Sequence, residues 1–506
     1  MTIRSIILRL ILTITPLFPY SLHAEAIPNP IFSNGAVLQR DQPIPIWGTA
    51  QDGEKVTVDF NGQKQSTTAT NGKWKVNFQP MQAGGPFTMT ITSNHVVTLN
   101  NLLIGDVWLC SGQSNMHFQM KSVENAKQEI AGMNHPKVRY FTVKHQFGQQ
   151  PTDQVAGTWK PVSPSTAADC SAVACYFGTA LNQHLDIPIG LIISSVGGTR
   201  IESWMRQETL AKTGESLALI KKWSEISPTE FTRIGGEYSA FQHQRDHVHP
   251  NAVREARAQG KPIPPPPLQP KTRCHDCPSA LHNGMIAPLI PYAIRGTIWY
   301  QGESNAGQPK PYQKLLPAMI HDWRTAWGTN LPFLFVQIAP HRSIHPSFRE
   351  AQHLIWQNTP NTAIVVTTDV GNMANIHPTQ KRPVGERLAL AARTLSYGET
   401  IVSSGPLFQQ IKIVKNRAVI TFSNVGAGLL AKNGDLKGFT IAGDDGKFLP
   451  AHATIQDNSV IVTSDKVPRP TAVRYNWSII PEGNLFNRVN LPAAPFRSDG
   501  PMPQDS

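Results

Sequence analysis

A serine lies between two amide residues at the point where a long apolar run of the sequence ends. The run and the turn after it read WLCSGQSNMHFQM from Trp108, with Ser114 two residues after Gly112. A serine hydroxyl becomes a strong nucleophile when a neighbouring base, most often a histidine, removes its proton. A serine in a turn is more often structural, so a nucleophile here requires partners from elsewhere in the chain.

Three further polar turns follow apolar runs and carry such partners. They are SVGGT from Ser195, QGESN from Gln301 and NIHP from Asn375. The last turn supplies His377 as a candidate general base. The backbone N–H of Gly198 and the side-chain amide of Asn305 are candidates for an oxyanion hole. Glu303 is a candidate carboxylate to orient the imidazole and stabilise its cation.

Each of these residues also has an ordinary structural explanation. A histidine before a proline can end a loop or cap a helix, the two glycines can form a tight turn, and Glu303 can lie on the surface. Ligands of open α/β sheets bind beyond the carboxyl ends of the strands, so we expect the four turns to converge in one cleft. Met116 replaces the second glycine of a G-x-S-x-G elbow, which disfavours the α/β-hydrolase fold.

The segments around the turns predict a parallel α/β domain over residues 101–396. LLIGDVWLC and IGLIISSVGG are continuous apolar runs, typical of strands buried on both faces. SAVACYFGTALNQHL, between them, has helical spacing. Strand, helix and strand in this order indicate a parallel sheet with right-handed crossovers. Residues 206–280 interrupt the pattern with a polar helical stretch and a proline run, so we interpret them as an insertion over one face.

Shorter strands flank this domain on both sides. Alternating segments separated by Asp-Gly and Asn-Gly turns predict a small β-sandwich-like domain at residues 27–100, or else a wing of the main sheet. Similar strands over residues 397–506 predict a second small β domain.

The first 26 residues predict a secretory signal peptide. Arg4 precedes a short apolar stretch, which Arg9 and Pro16 interrupt, and small residues follow. Cleavage is expected after Ala24 or Ala26, with an uncleaved anchor as the alternative. The protein is therefore expected to be exported, either periplasmic or secreted, with no membrane span in the mature chain.

Composition and charge narrow the classes of partner. The 506 residues carry a formal net charge of +12, yet no long block of Lys and Arg and no zinc-finger pattern is present, so nucleic acid is not an expected partner. The sequence indicates no particular oligomeric state.

Five cysteines suggest local disulfides rather than a metal site. Cys274 and Cys277 form one C-x-x-C pair, whereas structural zinc needs four ligands. In an exported chain a Cys274–Cys277 disulfide is expected, Cys170 and Cys175 can form another, and Cys110 is left as a buried apolar residue. No metal and no cofactor are expected.

Four stretches together resemble the sialate O-acetylesterase-like family of SGNH hydrolases. They are GQSNM, VGGTRIESW, NGMIAPLIPYAIRGTIWYQGESNA and IHPTQKRPVGERLALAA. The similarity extends over nearly the whole mature chain. It implies a flavodoxin-like three-layer core with a parallel sheet, flanked by small all-β domains. It also implies a carboxylic ester hydrolase that removes O-acetyl groups from sugars.

The resemblance assigns roles residue by residue. Ser114 resembles the nucleophile and His377 the base, and Gly198 and Asn305, with the Ser114 N–H, resemble the oxyanion hole. Related enzymes often place an Asp two or three residues before the histidine, where this chain has Asn375 and Ala374. Some relatives with a Q-G-E turn use the glutamate of that turn as the third member of the triad, which favours Glu303 here. The alternatives to Glu303 are Asp369 as the third member of the triad and a Ser–His dyad without a third member.

Three residues are expected to contact the substrate: Gln113, Arg200 and Gln301. Sialic acid carries a carboxylate, for which a bidentate arginine is expected, and pairing with Glu202 is the structural alternative for Arg200. Acetylated xylan and related plant polysaccharides are alternative substrates, for which Trp204 and Trp299 would provide stacking unless they belong to the core. A third possibility is an inactive carbohydrate-binding protein on a hydrolase fold.

Overall fold

The computed structural model of the protein describes residues 25–500. Nearly all of the predicted signal peptide therefore lies outside the described residues. Within residues 25–500, no helix combines the length and apolar character that crossing a bilayer requires.

The N-terminal region is built of short strands, as expected. Its strands are β1 Ile27–Pro28, β2 Val37–Gln39, β3 Ile44–Thr49, β4 Lys55–Phe60, β5 Gln63–Thr68, β6 Lys73–Phe78 and β7 Gly84–Thr92. β3 pairs with β1 and β6, and β4 pairs with β5 and β7. Strands β4 and β6 alternate buried and exposed residues, which is the pattern of a sheet with one face on a core.

The central region contains seven strands. They are β8 Val96–Gly112, β9 His135–Thr142, β10 Trp159–Val162, β11 Ile189–Ser195, β12 Gly296–Tyr300, β13 Phe333–Val336 and β14 Thr362–Val365. Their order in the sheet is β10-β9-β11-β8-β12-β13-β14. Neighbours are parallel except for β10, which is antiparallel to β9. The predicted parallel sheet is therefore confirmed.

The strand order places a switch point beside β8. When β9 and β10 are left out of the count, the strands β11, β8, β12, β13 and β14 follow the order 2-1-3-4-5. After β8 the chain adds β9, β10 and β11 on one side of it, and then β12, β13 and β14 on the other. Ligands of open α/β sheets bind at the carboxyl ends of the strands at such a point.

Strand β8 belongs to two sheets at once. Its first part pairs with β7 and β2, and its second part pairs with β11 and β12. The boundary expected near residue 100 thus falls inside a continuous strand of 17 residues. The buried apolar residues of both regions accordingly form one cluster, from Ala26 to Ala392.

Helices cover both faces of the central sheet. The α-helices within residues 25–500 are α1 Ser114–His117, α2 Ala126–Ala131, α3 Ala172–Leu185, α4 Gln207–Lys212, α5 Leu217–Ser224, α6 Pro228–His243, α7 His249–Ala258, α8 Pro309–Trp327, α9 Pro346–Asn358 and α10 Arg382–Tyr397. Trp108 of β8 packs on Phe177 of α3, with ring centroids 5.0 Å apart, and Trp299 of β12 packs on Trp323 of α8 at 5.8 Å. The register sets these two tryptophans on opposite faces. Because α10 packs on α3 and α9 on α8, the sheet lies between two helical layers.

The segment at 206–280 carries the helices α4 to α7 and a small apolar cluster of its own. The predicted helical stretch is two helices, α4 and α5, separated by Gly214 at φ +73°. The cluster includes Trp223, Phe231, Tyr238 and Cys274. This segment therefore has its own packed interior beside the carboxyl end of β11.

The C-terminal region is a set of small antiparallel sheets. Its strands are β15 Leu407–Val414, β16 Arg417–Ser423, β17 Leu429–Ala431, β18 Phe439–Ala442, β19 Leu449–Pro450, β20 His452–Gln456, β21 Ser459–Thr463, β22 Ala472–Tyr475, β23 Leu485–Asn487 and β24 Phe496–Arg497. They form the orders β15-β16-β21-β20, β19-β18-β22-β24 and β17-β23. The region has a separate apolar core.

All five cysteines are buried free thiols, so neither expected disulfide is present. The Cys175 thiol donates to Met133 Sδ at 3.9 Å. Burial raises the pKa of Cys274 and of Cys277 to about 12. Oxidation requires the thiolate form, so burial physically opposes disulfide formation at this pair. Cys110 is fully buried on β8, as predicted.

Candidate active site

Gly112 ends β8 and lets two strands approach closely at the switch point. Its φ is +137°, and a Cβ there would lie 2.2 Å from the carbonyl oxygen of Tyr300 on β12. The next residue, Gln113, donates its N–H to that same oxygen at 2.9 Å, and Val196 donates to the Gly112 carbonyl at 3.1 Å. Ser114 then begins α1, half-exposed at the carboxyl end of β8.

The turn after β11 lies directly against Ser114. A Cβ built on Gly197 would be 3.4 Å from the Ser114 Cβ, and Gly198 has φ +74°. The Thr199 hydroxyl donates to the Val196 carbonyl at 2.9 Å and fixes the turn. The structure therefore brings the turn that contains the predicted oxyanion-hole glycine, Gly198, beside the predicted nucleophile, with Gly197 in contact with it.

The turn after β12 is tied to the Ser114 turn through Gln113. The Gln113 Oε1 accepts hydrogen bonds from the N–H groups of Gly302 and Ser304, at 3.3 and 3.2 Å. Its Nε2 makes no hydrogen bond within residues 25–500. Gln113 thus supports the turn with one atom and keeps a donor for a ligand with the other.

Gln301 has a different role from the predicted substrate contact. Its Nε2 donates to the Thr199 carbonyl at 3.1 Å and to Asn305 Oδ1 at 2.8 Å. Its Oε1 accepts from the Tyr312 hydroxyl at 2.9 Å, and the residue is fully buried. Because both amide N–H groups are used, the structure gives Gln301 a supporting role in the turn.

Asn305 is buried in the same network. Its Oδ1 accepts from the Ile201 N–H at 3.0 Å as well as from Gln301, and its Nδ2 donates to Glu202 Oε2 at 3.0 Å. An amide nitrogen has two N–H groups, so one N–H remains. The predicted role of Asn305 in the oxyanion hole depends on that second donor.

The loop that carries His377 is attached to the residue after Ser114. Asn115 Nδ2 donates to the Ile376 carbonyl at 3.0 Å, and the His377 N–H donates to Asn375 Oδ1 at 2.9 Å. Between residues 25 and 500, the structure records no hydrogen bond from the Ser114 hydroxyl to the half-buried imidazole. Catalytic hydrogen bonds of this kind are often long before substrate binds.

The surroundings of His377 favour its neutral form. Burial lowers the pKa of the imidazole, and the positive charge of Lys381 and the neighbouring His341 lower it further. An imidazole with a lowered pKa is unprotonated near neutral pH, which is the form that can accept a proton from a serine.

Glu303 contacts Asn115, not His377. Its Oε1 accepts from Asn115 Nδ2 at 2.5 Å, and its Oε2 is buried without a hydrogen-bond partner. Burial raises the pKa of this carboxyl, while the Asn115 hydrogen bond and the charge of Lys381 oppose the rise. In the described part of the chain, Glu303 makes no hydrogen bond to His377, so its predicted triad contact is not present in this geometry.

Lys381 is a buried cation that the sequence did not indicate. Its Nζ donates to Asn115 Oδ1 at 2.5 Å and lies 4.9 Å from the ring centre of Phe118 and 5.3 Å from that of Tyr300. Burial lowers the pKa of Lys381 to about 7, and Glu303 opposes this. Asn115 therefore bridges a carboxylate and an ammonium group directly beneath Ser114. A lysine at the start of a predicted amphipathic helix carries no signal of this burial.

Asp369, the other candidate carboxylate, is also engaged elsewhere. Its two oxygens accept hydrogen bonds from Arg387 at 2.7 and 2.6 Å. Among the three alternatives for the third triad member, the Ser114–His377 dyad is the one that needs no carboxylate contact beyond those observed.

Arg200 is paired within the protein, and the two tryptophans are buried. Arg200 donates to Gln308 Oε1, and its Nε lies 3.8 Å from Glu202, so the alternative of pairing with Glu202 is confirmed. Trp204 and Trp299 are fully buried. The expected stacking platform is therefore part of the core.

Two further histidines lie near the serine turn, one on α1 and the other against the end of β11. The rings of His117, on α1, and His145 are 5.3 Å apart, and His145 Nε2 is within hydrogen-bonding distance of the Ser195 carbonyl, at 3.2 Å. In residues 25–500 no group of three or more His, Cys, Asp or Glu side chains is arranged to hold a metal ion.

Comparisons with known proteins agree with this architecture. Residues 104–227 and 280–394 match the family of carbohydrate esterases described as sialic acid-specific acetylesterases. The unmatched residues 228–279 fall within the predicted insertion. Sialate O-acetylesterases from Mus musculus and Homo sapiens are each 29% identical to the chain, over 92% of it and over 92% and 91% of their own lengths.

A solved structure resembles nearly the whole molecule. It is a carbohydrate acetylesterase from Xanthomonas citri, 34% identical, with a TM-score of 0.79 over 94% of this chain and 100% of that one. Together these findings define the chain as an ester hydrolase of the carbohydrate esterase class. The chain belongs to the sialic acid-specific acetylesterase family.

Proposed function

We propose that the protein is a serine carbohydrate esterase that removes O-acetyl groups from sugars, with 9-O-acetylated sialic acid as its substrate. The observation that carries the proposal is the meeting of Ser114, the Gly197–Gly198 turn and the His377 loop at the switch point of the sheet. The curated relatives of the chain are named sialate O-acetylesterases, and their similarity supports the choice of sugar.

The proposed reaction is acyl transfer in two steps. His377 takes the hydroxyl proton of Ser114, whose oxygen attacks the acetyl carbonyl carbon. N–H groups of Ser114, Gly198 and Asn305 stabilise the oxyanion. His377 then returns the proton to the sugar oxygen as the C–O bond breaks, which leaves an acetyl-serine and a free sugar hydroxyl. A water molecule, deprotonated by His377, then attacks the acetyl-serine. The bond from the acetyl carbon to the serine oxygen breaks, His377 returns the proton to that oxygen, and the acetic acid leaves as acetate.

Glu303 is assigned a positioning role in this reaction. It contacts Asn115, whose other hydrogen bonds reach the Ile376 carbonyl and Lys381. Through Asn115 the carboxylate holds the His377 loop at the serine turn. The Ser114–His377 pair then carries out the proton transfers as a dyad.

The fold belongs, in this proposal, to the flavodoxin-like SGNH hydrolases. The strand order 2-1-3-4-5 and the helices on both faces support this assignment. Four separate turns supply the Ser, Gly, Asn and His residues of the site.

Export through a cleaved signal peptide is part of the same proposal. Ala26 is 2% exposed and belongs to the apolar cluster that the N-terminal and central regions share. Cleavage after Ala24 keeps this alanine in the mature chain, whereas cleavage after Ala26 removes it. Because Ala26 is part of that cluster, cleavage after Ala24 is the proposed site. Mass measurement of the exported protein tests this, and a mature chain that begins at Ile27 would contradict it.

Acetylated xylan and related plant polysaccharides form the second candidate substrate class. The crystal-structure relative is described as a carbohydrate acetylesterase without a named sugar, which favours keeping this class. The buried positions of Trp204 and Trp299 argue against it, since neither can stack on a neutral sugar ring.

Release of acetate from defined substrates tests the function. We expect faster release from 9-O-acetylated sialic acid than from acetylated xylo-oligosaccharides, and none above background with Ser114→Ala. The reverse preference would move the protein to the second substrate class. Failure of the folded wild type to release acetate from either sugar, or from 4-nitrophenyl acetate, would favour an inactive carbohydrate-binding protein.

A further inference from the structure

Arg273 lies beside the glycine of the candidate oxyanion hole. A Cβ built on Gly198 would be 3.7 Å from Arg273 Nη1, and the arginine is the one neighbour within 4 Å of that position. Arg273 comes from the end of the 206–280 segment, most of which lies outside the residues matched by the family. The guanidinium group therefore lies beside the turn that follows β11.

The arginine is held in place by its own turn. Arg273 Nε and Nη2 donate to the two oxygens of Asp276, at 2.7 and 2.8 Å. Cys274 and His275, the two residues that follow it, are buried, and His275 packs edge-to-face on Tyr238 with ring centroids 4.6 Å apart. A side chain fixed in this way loses little conformational entropy when it binds a ligand.

One edge of the guanidinium group remains available. An arginine has five N–H groups, and Asp276 takes the Nε–H and one N–H of Nη2. Within residues 25–500 Nη1 donates to no acceptor, and the side chain is 27% exposed. The two N–H groups of Nη1 and the second N–H of Nη2 thus form a free edge, which can bind both oxygens of a carboxylate.

We propose that Arg273 binds the carboxylate of the acetylated sugar and selects acidic over neutral substrates. The assignment rests on the proposed function and deepens it by naming the group that recognises the negative charge of the sugar. Arg200, the arginine expected for this role, is already paired with Gln308 and Glu202. Arg273 combines a fixed position next to Gly198 with an unused Nη1–Nη2 edge, whereas Gln308 occupies Nη2 of Arg200.

A matched pair of substrates isolates this interaction. We propose to measure kcat and KM with 9-O-acetyl-N-acetylneuraminic acid and with its carboxyl methyl ester, which carries the same scissile bond without the charge. Arg273→Gln is expected to lower the acid-to-ester ratio of kcat/KM about ten- to a hundredfold, mainly through KM, because a charge-assisted hydrogen bond is lost. Arg273→Lys, which keeps the charge but loses the bidentate edge, is expected to fall in between.

Two control variants locate the effect. Arg233→Gln removes an exposed arginine of the same segment that pairs with Glu230 and Glu237 on α6, and the ratio should stay at the wild-type value. Arg200→Gln should also leave the ratio unchanged. A fall in the ratio with Arg200→Gln but not with Arg273→Gln would overturn the proposal.

The wild-type enzyme gives an independent measurement if Arg273→Gln fails to fold. Added NaCl screens charge pairs that solvent reaches, so KM for the acid should rise with salt while KM for the methyl ester stays level. Equal salt dependence for both substrates, or an acid-to-ester ratio that Arg273→Lys does not change, would overturn the role of Arg273. Hydrolysis of the ester and of 4-nitrophenyl acetate would in that case still support the proposed esterase function.

Discussion

Two sets of polar residues surround the same turns and differ in how fully their hydrogen bonds are used. In the inner set, Gln301, Asn305, Asn115 and Lys381 are buried and bond to one another's turns. In the outer set, Ser114, His377 and Arg273 are partly exposed, and each keeps donors or acceptors that no residue within 25–500 uses. The inner set therefore holds the backbone of the turns in place, and the outer set keeps its donors and acceptors available to a ligand.

The difference follows from the energetics of burial. A buried polar group without a partner costs about 1–3 kcal/mol, so the inner residues must satisfy one another. A residue at the mouth of a site can leave its donors to water, which a substrate later displaces. Glu303 lies between the two sets, because one of its oxygens is bonded to Asn115 and the other is buried without a partner.

The largest effect is expected in the outer set, at His377. His377→Gln should lower kcat/KM on 4-nitrophenyl acetate about a thousandfold or more while leaving thermal unfolding near that of the wild type, because the general base is lost and little packing is. His341→Gln is the matched control, since His341 is a neighbour of His377 that bonds to Ser343. Equal losses of kcat/KM in His377→Gln and His341→Gln would contradict the assignment of His377 as the general base.

In the inner set, Lys381→Met tests the buried bridge through Asn115. Removal of the amine leaves the buried Asn115 Oδ1 without its hydrogen-bond donor, so the protein should be destabilised by about 1–3 kcal/mol in denaturant unfolding. Lys381 lowers the pKa of His377, so its removal should raise that pKa toward the ordinary value. The acid limb of the kcat/KM profile should then move to higher pH, because an imidazole with a higher pKa becomes protonated, and so inactive as a base, at a higher pH.

The control for this change is Lys121→Met, which removes an exposed lysine paired with Asp169. It should leave both the unfolding free energy and the pH profile close to those of the wild type. An acid limb that stays in place, or moves to lower pH, in Lys381→Met would contradict the electrostatic link to His377.

Glu303→Gln sharpens the boundary between the two sets. Loss of a carboxylate that orients the catalytic histidine lowers kcat about ten-thousandfold. Glutamine keeps the oxygen that accepts the Asn115 hydrogen bond, so a positioning role predicts a loss of kcat/KM of about tenfold. Asp369→Asn is the companion variant, and it should act on stability through the Arg387 pair. A ten-thousandfold loss for either variant would place that carboxylate in a triad.

Much of this division could be predicted from the sequence, because local patterns carry it. Continuous apolar runs before GQSN, SVGGT and QGESN indicate strands buried on both faces, and parallel strands bring such turns to one edge. The carboxyl-end location of Ser114, Gly198, Asn305 and the His377 loop followed from these patterns. The disulfides and the substrate contact of Gln301 did not, since they depend on the burial of individual side chains.

Lys381 and Arg273 could not be found in this way. Each lies far along the chain from Ser114, and neither stands in a turn that follows an apolar strand. Their roles come from three-dimensional contacts, the first with Asn115 and the second with Gly198. The domain boundary expected near residue 100 falls inside β8, because the chain continues there as one strand while its burial changes from mostly exposed to continuous after Asn101.

The smallest effect is expected from chelation. The proposed proton transfers use the Ser114 hydroxyl and the His377 imidazole alone, so incubation with EDTA followed by dialysis should leave kcat/KM on 4-nitrophenyl acetate unchanged. Loss of activity that added divalent cation restores would require a metal in the outer set.

The acetylated form of the enzyme offers the most direct test of the serine nucleophile. Rapid mixing with 4-nitrophenyl acetate, acid quench and mass spectrometry of the peptides should find one acetyl group on the peptide that contains Ser114, formed within the first turnover. Ser114→Ala should give no such peptide and no turnover. An acetyl group on another residue, or steady hydrolysis by the Ser114→Ala protein, would contradict the account.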